Sequence, residues 1–264
     1  MTDPRMPAAI AAVVGGAAGE ENHIGMSSAS VRMYPAHVLK MSPVSPAADR
    51  EAEILTWLGS RDLPVPRVAA RAQRDGVDWL LMTRIPGRML CDPSVMNNPT
   101  LLLDCLAEAL HLLWRTLVGD CPFDRSWHSE LDAAEACIRA GRFNAESCEP
   151  ETFGPGGFRD PMDLLEWLRK NAPEETRVLS HGDCCLPNLF TDGRRFSGMI
   201  DLGDFGTADP WRDLSYAWRS LKHNSDGFFG KTYPNIDPDD LFRAVGVPKD
   251  GERLRLYLLF DELF

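Results

Sequence analysis

Apolar residues recur at helical spacing in "PAADREAEILTWLGS", where Ala52, Leu55 and Leu58 share one face and Gly59-Ser60 closes the run. On either side of it the pattern shortens to that of strands. "NHIGMSSASVRMY" and "HVLKM" read as short strands with Tyr34-Pro35-Ala36 turning between them. "LPVPRV" is an extended connector, because proline disfavours helix in the residue before it. "VAARAQRDGVDWLLMTRI" then predicts a hairpin turning at Asp75-Gly76. At the chain start, Asp3 and Pro4 read as the N-cap and first position of a surface helix.

Beyond Arg84-Ile85-Pro86-Gly87 the pattern becomes helical. "PTLLLDCLAEALHLLWRTL", "SELDAAEACIRAGR" and "PMDLLEWLRKNAP" each carry an apolar face, and an acidic Gly/Pro-rich segment, "NAESCEPETFGPGG", separates the last two. Two strand-like runs follow, "RVLS" and "RFSGMIDLGD", then a helix in "DPWRDLSYAWRSL" and a last one ending "YLLFDELF". Trp57, Trp114, Trp167 and Trp218 stand among aliphatic neighbours at helical spacing, which predicts core positions. The plan is α+β: a β-rich unit over residues 1–85, a hinge near 83–87, and a larger helical unit over 86–264.

The 264 residues carry a formal charge of −11, which argues against nucleic acid, since phosphate binding needs clustered Lys and Arg. An acidic cleft favours a cationic ligand instead. No apolar run is long enough to span a bilayer, so no membrane partner is expected. The small-residue N-terminus imitates a signal peptide, but Asp3 and the short apolar stretch argue against one, which predicts a cytoplasmic protein. Seven cysteines without a C-x-x-C pair fit neither a disulfide framework nor zinc.

"HGDCCLPN" fits the pattern H-x-D-x-x-x-x-N, which in kinases sets an aspartate by the acceptor hydroxyl and an asparagine on a magnesium ion. Here those residues are Asp183 and Asn188. Downstream, "MIDLGD" places Asp201 between an apolar strand and a glycine, where a carboxylate can bind Mg²⁺ bridging phosphates. Lys40 ends a strand and Glu51 lies on the following helix, the placing of an ion pair that sets a lysine on the α- and β-phosphates. Residues 25–30, "GMSSAS", hold one glycine and read either as a phosphate-covering loop or as a plain turn. Cys184 and Cys185 have no Cys or His at ligand spacing and are expected to be packing or tolerated variation, while His181 is expected to brace its loop, and Asp213 is a carboxylate suited to a helix start that resembles the kinase aspartate holding that loop's backbone.

With these pieces the chain resembles the aminoglycoside 3′-phosphotransferases, antibiotic kinases of protein-kinase-like fold. "GMS", "LKM", "LPVP", "CPFD", "SHGD", "LPN", "FSGMIDLG" and the terminal "DELF" carry the resemblance along nearly the whole chain. It implies a two-lobed α+β fold and transfer of phosphate from ATP or GTP, with Mg²⁺, to a sugar 3′-hydroxyl of a polycationic aminoglycoside. It implies Asp183 as the catalytic aspartate and Asn188 and Asp201 as metal ligands. For the nucleotide it implies Lys40 and Glu51, Met26 and Ser27 in the phosphate loop, and Val38 against the base, with Thr83, Arg84 and Ile85 as the hinge. Pro86 cannot donate a hydrogen bond there. For the substrate ammonium groups it implies Glu149, Glu151, Asp261, Glu262 and the carboxylate of Phe264, with Asp183 and Asp204 at the acceptor.

Asp204 stands where relatives commonly carry arginine and adds negative charge near the acceptor. The acidic "DELF" also breaks a local rule, since cations suit a helix's last turn. The alternatives are a kinase of the same fold acting on another small alcohol, and a non-catalytic nucleotide-binding pseudokinase. The retained Lys40, Asp183 and Asp201 argue against the second.

Overall fold

The computed structural model describes residues 5–22 and 29–264. Asp3, Pro4, Met26 and Ser27 therefore lie outside the described residues. The chain forms two compact units, Met1–Arg88 with Asn188–Gly203, and Met89–Pro187 with Asp204–Phe264.

The first unit opens with helix α1 (Ala8–Val14), followed by strands β1 (Glu20–Asn22), β2 (Ser30–Met33) and β3 (His37–Pro43). Helix α2 (Pro46–Gly59) and the hairpin β4 (Val68–Arg74) and β5 (Val77–Thr83) come next. Among the described residues these strands form one antiparallel sheet in the order β1-β2-β3-β5-β4. The hairpin turns where the sequence places it: Asp75 and Gly76 both have positive φ, 52° and 76°, as a two-residue primed turn requires. Helix α1 differs from the expected surface helix. It begins after Pro7, and its Ile10 and Val14 are buried with Tyr34, Leu39, Trp79 and Leu81. Ile10 and Val14 are one turn apart, so they share the face that covers the sheet.

The short β6 (Arg88–Met89) and α3 (Pro93–Met96) lead into α4 (Pro99–Arg115), α5 (Trp127–Arg139) and α6 (Pro161–Lys170). The remaining order is β7 (Val178–Ser180), β8 (Leu189–Thr191), β9 (Phe196–Met199), β10 (Gly206–Ala208), α7 (Pro210–Ser225), α8 (Asp240–Val245) and α9 (Gly251–Asp261). β8 and β9 pair as a hairpin in the first unit, and β7 pairs with β10 in the second. Helix starts follow capping chemistry. Ser45, Asp160 and Asp209 each accept a backbone N–H of the first turn, and each precedes a proline at the first helical position.

In the second unit Trp127 stacks on Phe260 at 4.5 Å between centroids and meets Tyr257 edge-on, which seats α9 in the core. The buried tryptophans are Trp79, Trp127 and Trp211, not the four the spacing singled out. Trp57, Trp114, Trp167 and Trp218 are half-buried. Each sits between core and solvent within its own unit: Arg61 covers the Trp57 ring and the Trp218 N–H donates to Asp239. An amphipathic ring suits that border, and periodicity alone does not separate it from the core.

Candidate active site

β3 alternates, so Leu39 enters the core while Val38 and Lys40 occupy the opposite sheet face. From that face the Lys40 ammonium reaches Glu51 of α2 at 2.9 Å and Asp201 at 3.4 Å. Asp201 follows β9 in the left-handed region, φ 58°, which is uncommon outside glycine and more tolerable for aspartate than for most residues. Asn188 ties that turn, its backbone carbonyl accepting the Ile200 N–H at 2.9 Å. Burial by itself would lower the Lys40 pKa, but the Asp201 and Glu51 carboxylates outweigh it and raise the pKa above its usual 10.5. Lys40 is therefore a fixed cation at neutral pH.

At the end of β5, the Thr83 N–H is donated to the Arg67 carbonyl at 2.9 Å and the Arg84 N–H to the Ala36 carbonyl at 3.0 Å. Sequence reasoning offered all three hinge residues to a base. The sheet has already taken two of their N–H groups, and among the described residues that of Ile85 alone has no protein partner. Gly87 follows with φ 110°, where an added Cβ would strike the Thr191 carbonyl and come within 2.9 Å of Ser197 Oγ. Val38 pairs with Met82 across the sheet and is half-buried beside Lys40.

In the second unit Asp213, in the first turn of α7, is fully buried and holds the exit of β7. Its carboxylate accepts the Ser180 hydroxyl at 2.9 Å, the His181 N–H at 2.8 Å and the Gly182 N–H at 3.0 Å. Gly182 has φ 87°, and a Cβ there would collide with the Asp204 carbonyl. The Asp183 N–H then donates to His181 Nδ1 at 3.2 Å and the Asp183 carbonyl accepts the Cys185 N–H at 2.8 Å. These bonds fix the backbone that carries Asp183, whose side chain is half-buried. Cys184 is wholly buried, and burial pushes its thiol pKa well up. Burial does the same to Cys185, reinforced by the neighbouring Asp183 carboxylate. Both stay protonated thiols at neutral pH.

The acidic residues of this unit are more structured than their sequence suggests. Asp261 is paired with Arg219 of α7, so the charge at the end of α9 is partly offset within the fold. Glu262 is turned inward, only 9 % exposed, and accepts the Glu149 N–H at 2.7 Å. It braces the loop that carries Glu149. Burial pushes its pKa up, ahead of the lowering effect of that bond. Glu149 keeps 43 % of its side chain in solvent and lies 3.7 Å from His223 Nε2. Glu151 is exposed, and the Phe264 ring, 54 % exposed, packs on Phe260 at 5.2 Å. The charge expected from Asp204 is met by Arg125 at 3.0 Å, which also pairs with the buried Glu130 at 3.0 Å. Glu130 in turn binds the buried Arg212 at 3.1 Å.

Arg125, Arg219 and His223 were missed as participants. A helical stripe on α7 could have exposed two of them, since Arg212, Tyr216, Arg219 and His223 fall at i, i+4, i+7 and i+11. Of the expected set, the fold brings together Lys40, Glu51 and Asp201 in the first unit, with Asn188 fixed to the Asp201 turn. Glu149, Asp261 and Glu262 are connected in the second, which also holds Asp183 and Asp204.

Comparison with known proteins places this geometry. The phosphotransferase enzyme family matches residues 25–242. The aminoglycoside 3′-phosphotransferase of Enterococcus faecalis is 31% identical over 220 residues, 82% of this chain and 78% of that protein. The streptomycin 3″-kinase of Streptomyces griseus is 28% identical over 100% of this chain and 99% of its own length. Among solved structures, an aminoglycoside 3′-phosphotransferase of type VIII superposes with a TM-score of 0.75 at 26% identity, covering 99% of this chain and 100% of its own. A Streptomyces rimosus aminoglycoside phosphotransferase shares the fold with a TM-score of 0.77 at 24% identity, over 97% of this chain and 96% of its own. The two-lobed α+β plan and the kinase motifs thus have one origin: the chain belongs to the phosphotransferase enzyme family, on its aminoglycoside 3′-phosphotransferase branch.

Proposed function

We propose that this enzyme transfers the γ-phosphoryl group of ATP to the 3′-hydroxyl of a polycationic aminoglycoside and so confers resistance to it. The observation that carries the reading is the charged Lys40, held at once by Glu51 and by Asp201 on its strained turn. Such a lysine suits the α- and β-phosphates of a nucleotide. In this reading residues 1–85 hold the nucleotide and residues 86–264 supply the acceptor site and the catalytic aspartate. Val38 packs on the base, and the Ile85 N–H is the hinge donor to it. The Streptomyces rimosus relative has been solved with ADP and streptomycin, which supports a nucleotide and an aminoglycoside as the two substrates.

Asp183 orients the acceptor hydroxyl and takes its proton, while the Asp213 lock keeps the loop from shifting. Asn188 and Asp201 would hold Mg²⁺. Among the described residues no group of three or more His, Cys, Asp and Glu side chains forms a cage. That fits Mg²⁺, which takes one or two carboxylates and completes its shell with phosphates and water. The ion would offset negative charge on the phosphates. Phosphate on the drug adds negative charge where the drug would otherwise meet ribosomal RNA. No helix of the described residues is long and apolar enough to cross a membrane, and we place the enzyme in the cytoplasm, with its ATP.

The cationic acceptor is tested at the chain end. Deleting Asp261 to Phe264 removes the partner of Arg219 and the brace on Glu149. A hydrogen bond from a desolvated ammonium to a carboxylate is worth roughly 1.5–3 kcal/mol, and less where solvent screens it. The expected result is a rise in aminoglycoside KM of about tenfold or more, with KM for ATP little changed. Asp261→Asn, which leaves the helix end in place, moves KM the same way by a smaller factor. Unchanged aminoglycoside kinetics in both variants would sink the cationic-acceptor reading.

A further inference from the structure

The loop between α7 and α8 leaves two phenyl rings in solvent, Phe228 at 63% and Phe229 at 65% exposure. The loop is bonded into shape. The Phe228 N–H donates to Asp226 at 3.0 Å, the Gly230 N–H to the Gly227 carbonyl at 2.8 Å, and Asp226 bridges to Thr232. The rings are set at 5.0 Å and 87° to each other, and Phe228 lies face to face on His223 at 4.3 Å and 13°. His223 Nε2 is in turn 3.7 Å from the Glu149 carboxylate. Burial, against the opposing pull of Glu149, keeps the His223 pKa below its usual value, which favours the neutral imidazole.

One place on the second unit therefore presents an exposed carboxylate and two exposed aromatic rings, joined through a neutral imidazole. Exposed apolar rings held in order beside an exposed carboxylate are suited to a ligand that is apolar on one face and cationic at its edge. An amino sugar has that chemistry: axial C–H groups on a flat face and an ammonium at the rim.

We propose that Phe228 and Phe229 form an acceptor platform on which one amino-sugar ring of the substrate lies, its ammonium directed to Glu149. This rests on the aminoglycoside reading above and deepens it. The ring faces attract the cation through their quadrupole and cover the sugar's C–H face, while Glu149 fixes the end at which the ammonium sits. The platform selects acceptors that carry a charged ring at this end, independently of the reacting hydroxyl.

The test is steady-state kinetics with kanamycin at saturating ATP on Phe228→Ala, Phe229→Ala, the double variant and Phe228→Leu. Both rings are exposed, so the fold is expected to tolerate these changes. Each alanine is expected to raise kanamycin KM roughly two- to five-fold, the factor of an exposed cation–π contact, with kcat and the KM for ATP unchanged. Phe228→Leu should behave like Phe228→Ala, because leucine keeps apolar bulk without the aromatic face. A double variant with wild-type kanamycin KM overturns the proposal, as does a leucine variant that keeps it. A wild-type enzyme inert towards every aminoglycoside sinks the functional reading along with it, whereas an active enzyme indifferent to both rings sinks the platform alone.

Discussion

Replacing Asp183 with alanine is expected to lower kcat by at least ~10²-fold, the low end for a positioned acid or base, with thermal stability and nucleotide affinity close to wild type. The separation follows from how the loop is held. Its attachment to α7 runs through Asp213, which accepts Ser180, His181 and Gly182, and through Ser220, which accepts the Leu186 N–H, so removing the Asp183 carboxylate leaves those anchors intact. On the proposed reading, what disappears is the group that aligns the acceptor hydroxyl and receives its proton. Asp183→Asn keeps the size and hydrogen-bonding shape but not the charge, and an equally deep fall in kcat there assigns the effect to the base. Turnover near wild type in the alanine variant would move the chemistry to another residue.

The second large effect is on stability. Asp213→Ala leaves two buried backbone N–H groups and the Ser180 hydroxyl without their acceptor. Each buried donor left unpaired costs about 1–3 kcal/mol, so the total is roughly 3 kcal/mol or more. For a chain of this size that corresponds to a fall in Tm of roughly 6–12 °C. Asp213→Asn retains one acceptor oxygen and should fall between the two. In both variants kcat drops further than stability alone explains, since Asp183 rides on the loop that Asp213 fixes. A Tm and kcat unchanged by Asp213→Ala would mean that the loop is held by other contacts.

Much of the fold could be read from local chemistry. Ser45, Asp160 and Asp209 followed by proline announce helix starts, and Asp75-Gly76 announces its turn, because those signals act within a few residues. What stayed hidden was decided at long range. The N-terminal helix is an element of the first core because Ile10 and Val14 meet Leu39 and Trp79 across the sheet, and nothing in "AAIAAVV" states that partner. The tryptophans show the same limit, since burial depends on which helix face meets which neighbour.

The site divides in the same way. Lys40, Glu51, Asn188 and Asp201 stand out because the motif spacing is itself the geometry. The counter-charges do not: Arg125 is 79 residues from Asp204 and Arg219 is 42 from Asp261 in the chain. A surplus of acid in "DELF" and at Asp204 therefore looked unopposed. Likewise the hinge looked open over three residues, because the bonds that take up the Thr83 and Arg84 N–H groups come from Arg67 and Ala36.

The central claim is phosphoryl transfer to an aminoglycoside hydroxyl, and it is tested most directly by identifying the product. The purified chain is incubated with ATP, Mg²⁺ and kanamycin, and the antibiotic is examined by mass spectrometry and by phosphorus–proton correlation NMR. The account predicts a single phosphoryl group, coupled to the 3′ position, formed in step with ADP and abolished when Mg²⁺ is chelated. Kanamycin recovered unmodified, with a panel of other aminoglycosides equally untouched while ATP is bound, would contradict it.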